Sequence, residues 1–140
     1  MMIVKFINES KYAGFILGSL FLLVLYFPIK NYMELYNLSK ELKKCGSCVV
    51  GKKTGGMKGI NSYIYKVGNT TFNSKNGGGA KGNSSNLYPV IYLSTDPKKS
   101  HMIFDNSISL EMKKYGDSLS LEECKVMREK VAFLKMSRGY

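Results

Sequence analysis

The chain has 140 residues and a formal charge of +11 at pH 7. Setting aside one apolar stretch near the N terminus leaves about 110 residues, enough for one small core and too few for a large multidomain enzyme. The charge admits anionic lipid or nucleic acid as a partner. However, of 21 basic residues only those at positions 128 and 138 are Arg, so the bidentate phosphate donor is scarce and nucleic acid is not expected.

Residues 1–11 read as a short polar-flanked tail. Residues 12–29, YAGFILGSLFLLVLYFPI, contain no charge and are bracketed by Lys11 and Lys30. As a helix they reach ~27 Å, close to the ~30 Å hydrocarbon core of a bilayer, and a domain this small could not surround such a helix. The stretch ends in Leu25-Tyr26-Phe27-Pro28-Ile29 without the small-residue pattern of a signal cleavage site, so a retained single-pass signal-anchor is expected. The lysine count at the two ends leans towards a cytoplasmic C-terminal domain. However, Lys40, Lys43 and Lys44 lie well beyond the span and short basic tails commonly stay inside, so the domain is expected outside the cytoplasm, on the periplasmic side.

Residues 30–44 carry Leu35, Leu38 and Leu42 at helical spacing, which predicts a helical stalk, with Pro28 either kinking the exit from the span or starting this second helix. From position 45 the period changes to that of strands. Residues 48–53, 62–67, 70–74, 88–94 and 101–105 read as short β-strands, with turns expected at Gly55-Gly56, Gly68-Asn69 and Asp96-Pro97. Residues 75–86, KNGGGAKGNSSN, read as a Gly-rich loop. Residues 45–106 are thus expected to form a small, mostly antiparallel β domain, either a small barrel or a curled sheet. Residues 107–140 supply a linker and a C-terminal amphipathic helix. Its start is marked by the capping-box spacing of Ser120 and Glu123, and its stripe by Leu121, Cys124, Met127, Val131 and Leu134. The fold class is a single-pass transmembrane helix plus a small α+β domain.

Cys45-Gly46-Ser47-Cys48 is the sharpest short motif. A redox pair of this spacing normally follows a strand and opens a helix, where the helix end lowers the thiol pKa; here a helix precedes and a strand follows. A structural disulfide between Cys45 and Cys48, or plain thiols, is the simpler expectation, with thiol-redox or metal-binding chemistry as the alternative. Adding Cys124 and His101 gives enough ligands for zinc, but the spacing does not support it and no metal or other cofactor is expected. Gly46 to Lys53 nearly spells a phosphate-binding loop but has Lys53 where Ser or Thr is needed. His101, the single histidine, lies in a predicted strand with no identifiable nucleophile and is read as a surface residue. With no catalytic set, the chain is not expected to be an enzyme.

The central stretch resembles a family of small uncharacterised bacterial membrane-anchored proteins of Bacteroidetes type. The resemblance lies in Tyr63, Tyr65, Val67, Gly68 and Phe72, then Val90, Tyr92, Asp96, Pro97 and Ser100. It covers about residues 45–105 and departs at the glycine loop and at the helix after Ser118. It implies an anchored β module and no established activity. Together these features predict a membrane-anchored, non-enzymatic protein-binding module of the bacterial envelope, such as an immunity-type toxin inhibitor or an accessory subunit of a membrane complex. The bilayer would be engaged through residues 12–29, and a protein partner through Tyr63, Tyr65, Tyr92, Lys98 and Lys99.

Overall fold

A computed structural model describes residues 2–78, 85–104 and 109–131, with side chains from residue 11 onward. The element order is α1 (Met2–Cys45), β1 (Gly46–Met57), β2 (Ile60–Val67), β3 (Thr70–Gly77), β4 (Leu87–Leu93), β5 (Asp96–Met102) and α2 (Leu121–Lys130). The chain divides into two compact units, residues 1–34 and 35–140.

In the first unit, α1 carries an 18-residue stretch of mean hydropathy 2.0, none of it buried, and is long and apolar enough to cross a bilayer. Phe15, Leu17, Leu22 and Val24 are exposed around the helix, a pattern that suits lipid on all sides rather than one packed face. Pro28 lies inside α1 and does not start a second helix. In hydrocarbon the helix is the form that satisfies the backbone within its own segment, so one missing N–H is tolerated.

In the second unit, five antiparallel strands form one sheet in the order β3-β2-β1-β4-β5, curled into a nearly closed barrel. The last turns of α1 are not a free stalk. Leu42 is fully buried and Leu38 packs beside it, against Cys48, Val50, Ile91 and Leu93 on the outer face of the sheet. Gly46 makes this approach possible, because a Cβ there would stand 2.5 Å from both the Leu42 carbonyl oxygen and the Ile91 side chain. The inner face holds a second core of Val49, Tyr63, Tyr65, Tyr88, Val90 and Met102. Alternation along β1 and β4 feeds both cores, as a period of two requires.

The turns move by a few residues from expectation. β1 runs through Gly55-Gly56 after an irregularity between Lys53 and Gly55, and the chain reverses instead at Lys58 and Gly59, where φ is 53° and 79°. Two successive positive φ values are what a tight twisted hairpin needs. β3 extends to Gly77, taking Lys75 and Asn76 from the predicted loop, and β5 begins at Asp96 rather than after it. Residues 79–84 of that loop lie outside the described residues. Pro89 sits in β4 between two partners, opposite Val50, whose N–H and C=O bond to Asp117 and Gly116 instead. Its missing donor therefore falls on the β5 side, where the ladder ends at Val90 and Met102.

The capping box forms: Ser120 Oγ accepts from the Glu123 N–H at 3.2 Å, and Glu123 Oε2 accepts from the Ser120 N–H at 2.8 Å. That bond and Lys113, 3.0 Å away, hold the Glu123 carboxyl below its ordinary pKa. Cys124, Met127 and Val131 face the outer core, whereas Leu121 at the head of the predicted stripe is 87% exposed. Leu134 lies outside the described residues.

Burial makes the two leucines unequal. Leu42→Ala is expected to lower unfolding free energy by about 2–5 kcal/mol, because a cavity opens between α1 and the sheet. Leu121→Ala should stay within about 0.5 kcal/mol. Chemical denaturation of the full chain in a neutral detergent, followed by circular dichroism, checks both.

Candidate functional site

β3 and β5 are the two edges of the curled sheet, and the residues between them build a cleft. One side-chain bond joins the two edges directly, and two more tie β2 to β5. Asn76 Nδ2 donates to the Met102 carbonyl at 3.0 Å, the Tyr63 and Ser100 hydroxyls lie 2.9 Å apart, and the Tyr65 hydroxyl donates to the Pro97 carbonyl. Unsatisfied edge groups invite pairing with other chains, and the approach of the two edges limits the room for an added strand.

Tyr63 and Tyr65 are 0% exposed, which corrects their assignment to a partner-binding surface. They alternate with Ile64 onto the inner face, where Tyr65 stacks between Phe72 and Tyr92 at centroid distances of 5.6 and 6.2 Å. Burial pushes the Tyr63 hydroxyl up to about 12 and raises that of Tyr65. Tyr92 is half-buried, and Lys98 and Lys99 are exposed.

The cleft has a volume of about 430 Å³ and lies over the seam. Leu35, Leu38 and Ile60 give it an apolar wall; Ser74 and Asn76 from β3 and Ser100 and His101 from β5 give it a polar one. Lys75, Lys98 and Lys99 stand at its rim, and no carboxylate lines it. The three ammonium groups have no ion-pair partner among the described residues. Such a site is concave, net positive and apolar on one side, and it can hold an anionic group attached to an apolar body. Of the expected partner-binding residues only Lys98 and Lys99 are part of it. Lys75 and Asn76 were hidden by composition: they read as the start of the Gly-rich loop, although Phe72, Ser74 and Asn76 keep the strand alternation, and Ser74 closed the expected strand.

His101 is 7% exposed, not a surface residue. On β5 it shares a face with Ile103, which belongs to the outer core. Burial alone lowers its pKa to about 4, so the imidazole is neutral at physiological pH.

Cys48 is bonded to Cys124, 76 residues away, with the Cα atoms 5.5 Å apart. Cys45 is free and exposed, its Sγ 3.3 Å from the Glu41 carbonyl. The expected Cys45–Cys48 disulfide is therefore corrected. Cys45 closes α1 and faces outward, while Cys48 points into the outer core beneath α2. Among the described residues no three of His, Cys, Asp and Glu converge as a metal site would require.

Two measurements follow. Cys48→Ser or Cys124→Ser should cost about 4 kcal/mol, since the bond closes a long loop of the unfolded chain, whereas Cys45→Ser should be nearly neutral; thermal unfolding of the three variants compares them. For His101, the unfolded chain takes up a proton as pH falls below about 6.5 and the fold takes it up only near 4. Its contribution to stability is therefore complete above about pH 6.5 and declines by about 3 kcal/mol as pH drops to about 4. Urea titrations across that range should show the decline, and His101→Leu should flatten it. No protein-family model, curated protein or solved structure matches the chain.

Proposed function

We propose that this chain is a membrane-anchored, non-enzymatic binding module of the bacterial envelope, with its β domain outside the cytoplasm. The observation that carries this reading is the buried Cys48–Cys124 disulfide in a domain joined directly to an unburied apolar helix. Structural disulfides persist in oxidising compartments and are rare where thiols are kept reduced. The resemblance to anchored β modules points the same way. Its partner would be another envelope protein: a toxin neutralised at the membrane, or a larger subunit of a membrane complex. Because the sheet edges meet, recognition would use side chains at the rim of the seam rather than added strands.

The competing reading is thiol-redox chemistry. It draws on the exposed Cys45 thiol three residues from the bonded Cys48, close enough for exchange if the core opened.

Labelling whole cells with a membrane-impermeant maleimide separates these ideas. For a domain outside the cytoplasm, Cys45 should label without reductant, and Cys48 and Cys124 only after denaturation and reduction. Cys45 labelling only after lysis would sink the proposed orientation. Loss of function in Cys45→Ser, with folding intact, would favour the redox reading. Co-purification from solubilised membranes that repeatedly recovered no protein would remove the partner.

A further inference from the structure

We infer that the cleft across the β3–β5 seam is a binding site for the headgroup of an anionic phospholipid, with Lys75, Lys98 and Lys99 on the phosphate and Leu35, Leu38 and Ile60 against the glycerol and upper acyl carbons. The inference rests on the membrane-anchor reading above and goes beyond it, since that reading names a protein partner at the rim of the seam and no lipid in the cleft.

Three observations carry it. First, the charge is one-sided: three lysines rim the cleft and no carboxylate lines it or pairs with them among the described residues. Folding gains nothing from gathering like charges, so an anion is the group that relieves the repulsion. Second, the polarity is divided in the way a lipid headgroup is divided. Ser74, Ser100 and the neutral His101 offer hydrogen-bonding groups on the strand side, and the wall formed by α1 and Ile60 is apolar. A free inorganic anion would leave that wall unused. Third, the covalent chain limits the distance. Leu35 follows Ile29, the last residue of the apolar stretch, by six residues. It therefore lies within ~22 Å of the end of that stretch even if the connection were fully extended. A cleft wall held that close to a bilayer meets headgroups at high local concentration, so weak intrinsic affinity suffices. Near an anionic surface each lysine contributes about fivefold to the attraction.

The test uses the full chain in nanodiscs of phosphatidylcholine, with or without phosphatidylglycerol as a third of the lipid. Hydrogen exchange is read at the backbone amides of residues 74–77 and 98–101. Exchange there should slow about fivefold or more in the anionic discs, and high salt should weaken the effect. The triple variant Lys75→Gln, Lys98→Gln, Lys99→Gln should lose the difference. A control removing equal charge elsewhere, Lys52→Gln, Lys114→Gln, Lys125→Gln, should keep it. Identical exchange of the unmodified chain in both discs would overturn the inference, as would protection that survives in the triple variant. Equal protection by glycerol 3-phosphate in phosphatidylcholine discs would assign the site to a soluble phosphate ester and overturn the lipid. A chain that fails to enter nanodiscs at all would instead sink the membrane-anchor reading, so the two failures are told apart.

Discussion

The first half of β1, residues 46–51, is buried on both faces, and the rest of the second unit is arranged to satisfy it. One edge pairs with β4 from Gly46 to Lys52. The other pairs with β2 only from Lys52 onward, which would leave the groups of residues 48–50 unpaired in the interior. The segment before α2 fills that gap. The Val50 N–H donates to the Asp117 carbonyl at 2.8 Å, the Gly116 N–H to the Val50 carbonyl at 2.9 Å and the Leu119 N–H to the Cys48 carbonyl at 3.2 Å. A buried unpaired amide costs about 1–3 kcal/mol, so the return of this segment is a condition of the fold rather than decoration.

That return also sets where α2 and its cysteine lie. With residues 116–119 held along β1 and Ser120 capping the helix, Cys124 falls over Cys48, and Arg128 Nε reaches the Gly46 carbonyl at 2.7 Å. The same carbonyl sits at the junction between α1 and β1, where Leu42 packs on the sheet. Both helices are thus fastened to one short stretch of β1, residues 46–50. On the opposite face the aromatic inner core pulls β2 and β5 together through Tyr63 and Tyr65. The seam that results is narrow enough to be bridged by side chains and wide enough to leave a cleft.

Much of the local structure was legible because it depends on near neighbours in the chain. The apolar run of residues 12–29, the alternation of Tyr63, Tyr65 and Val67 and the spacing of Ser120 and Glu123 each carry their own physical signal. Turn placement and exposure were less legible than the elements. Turn placement shifted because Gly55-Gly56 is permissive but not directive: glycine allows a reversal, and the hairpin register decides where it happens. Exposure was misjudged for Tyr63, Tyr65, His101 and Leu121, since alternation shows that two faces differ but not which face another element will cover.

By itself the sequence determined the elements: an apolar helix long enough to span a bilayer, strands of period two, a capped helix and a lysine-rich surface. Those follow from backbone sterics and the periodicity of side chains, which are local. Only the tertiary structure decided which cysteines meet, which tyrosines are sealed inside and which lysines gather around one cleft. Cys48 and Cys124 are 76 residues apart, and Lys75 and Lys99 come from the two opposite edges of the sheet. Their juxtaposition depends on sheet curvature and on the path of the segment before α2, which arise from the balance of packing across the whole domain and leave no mark on spacing along the chain.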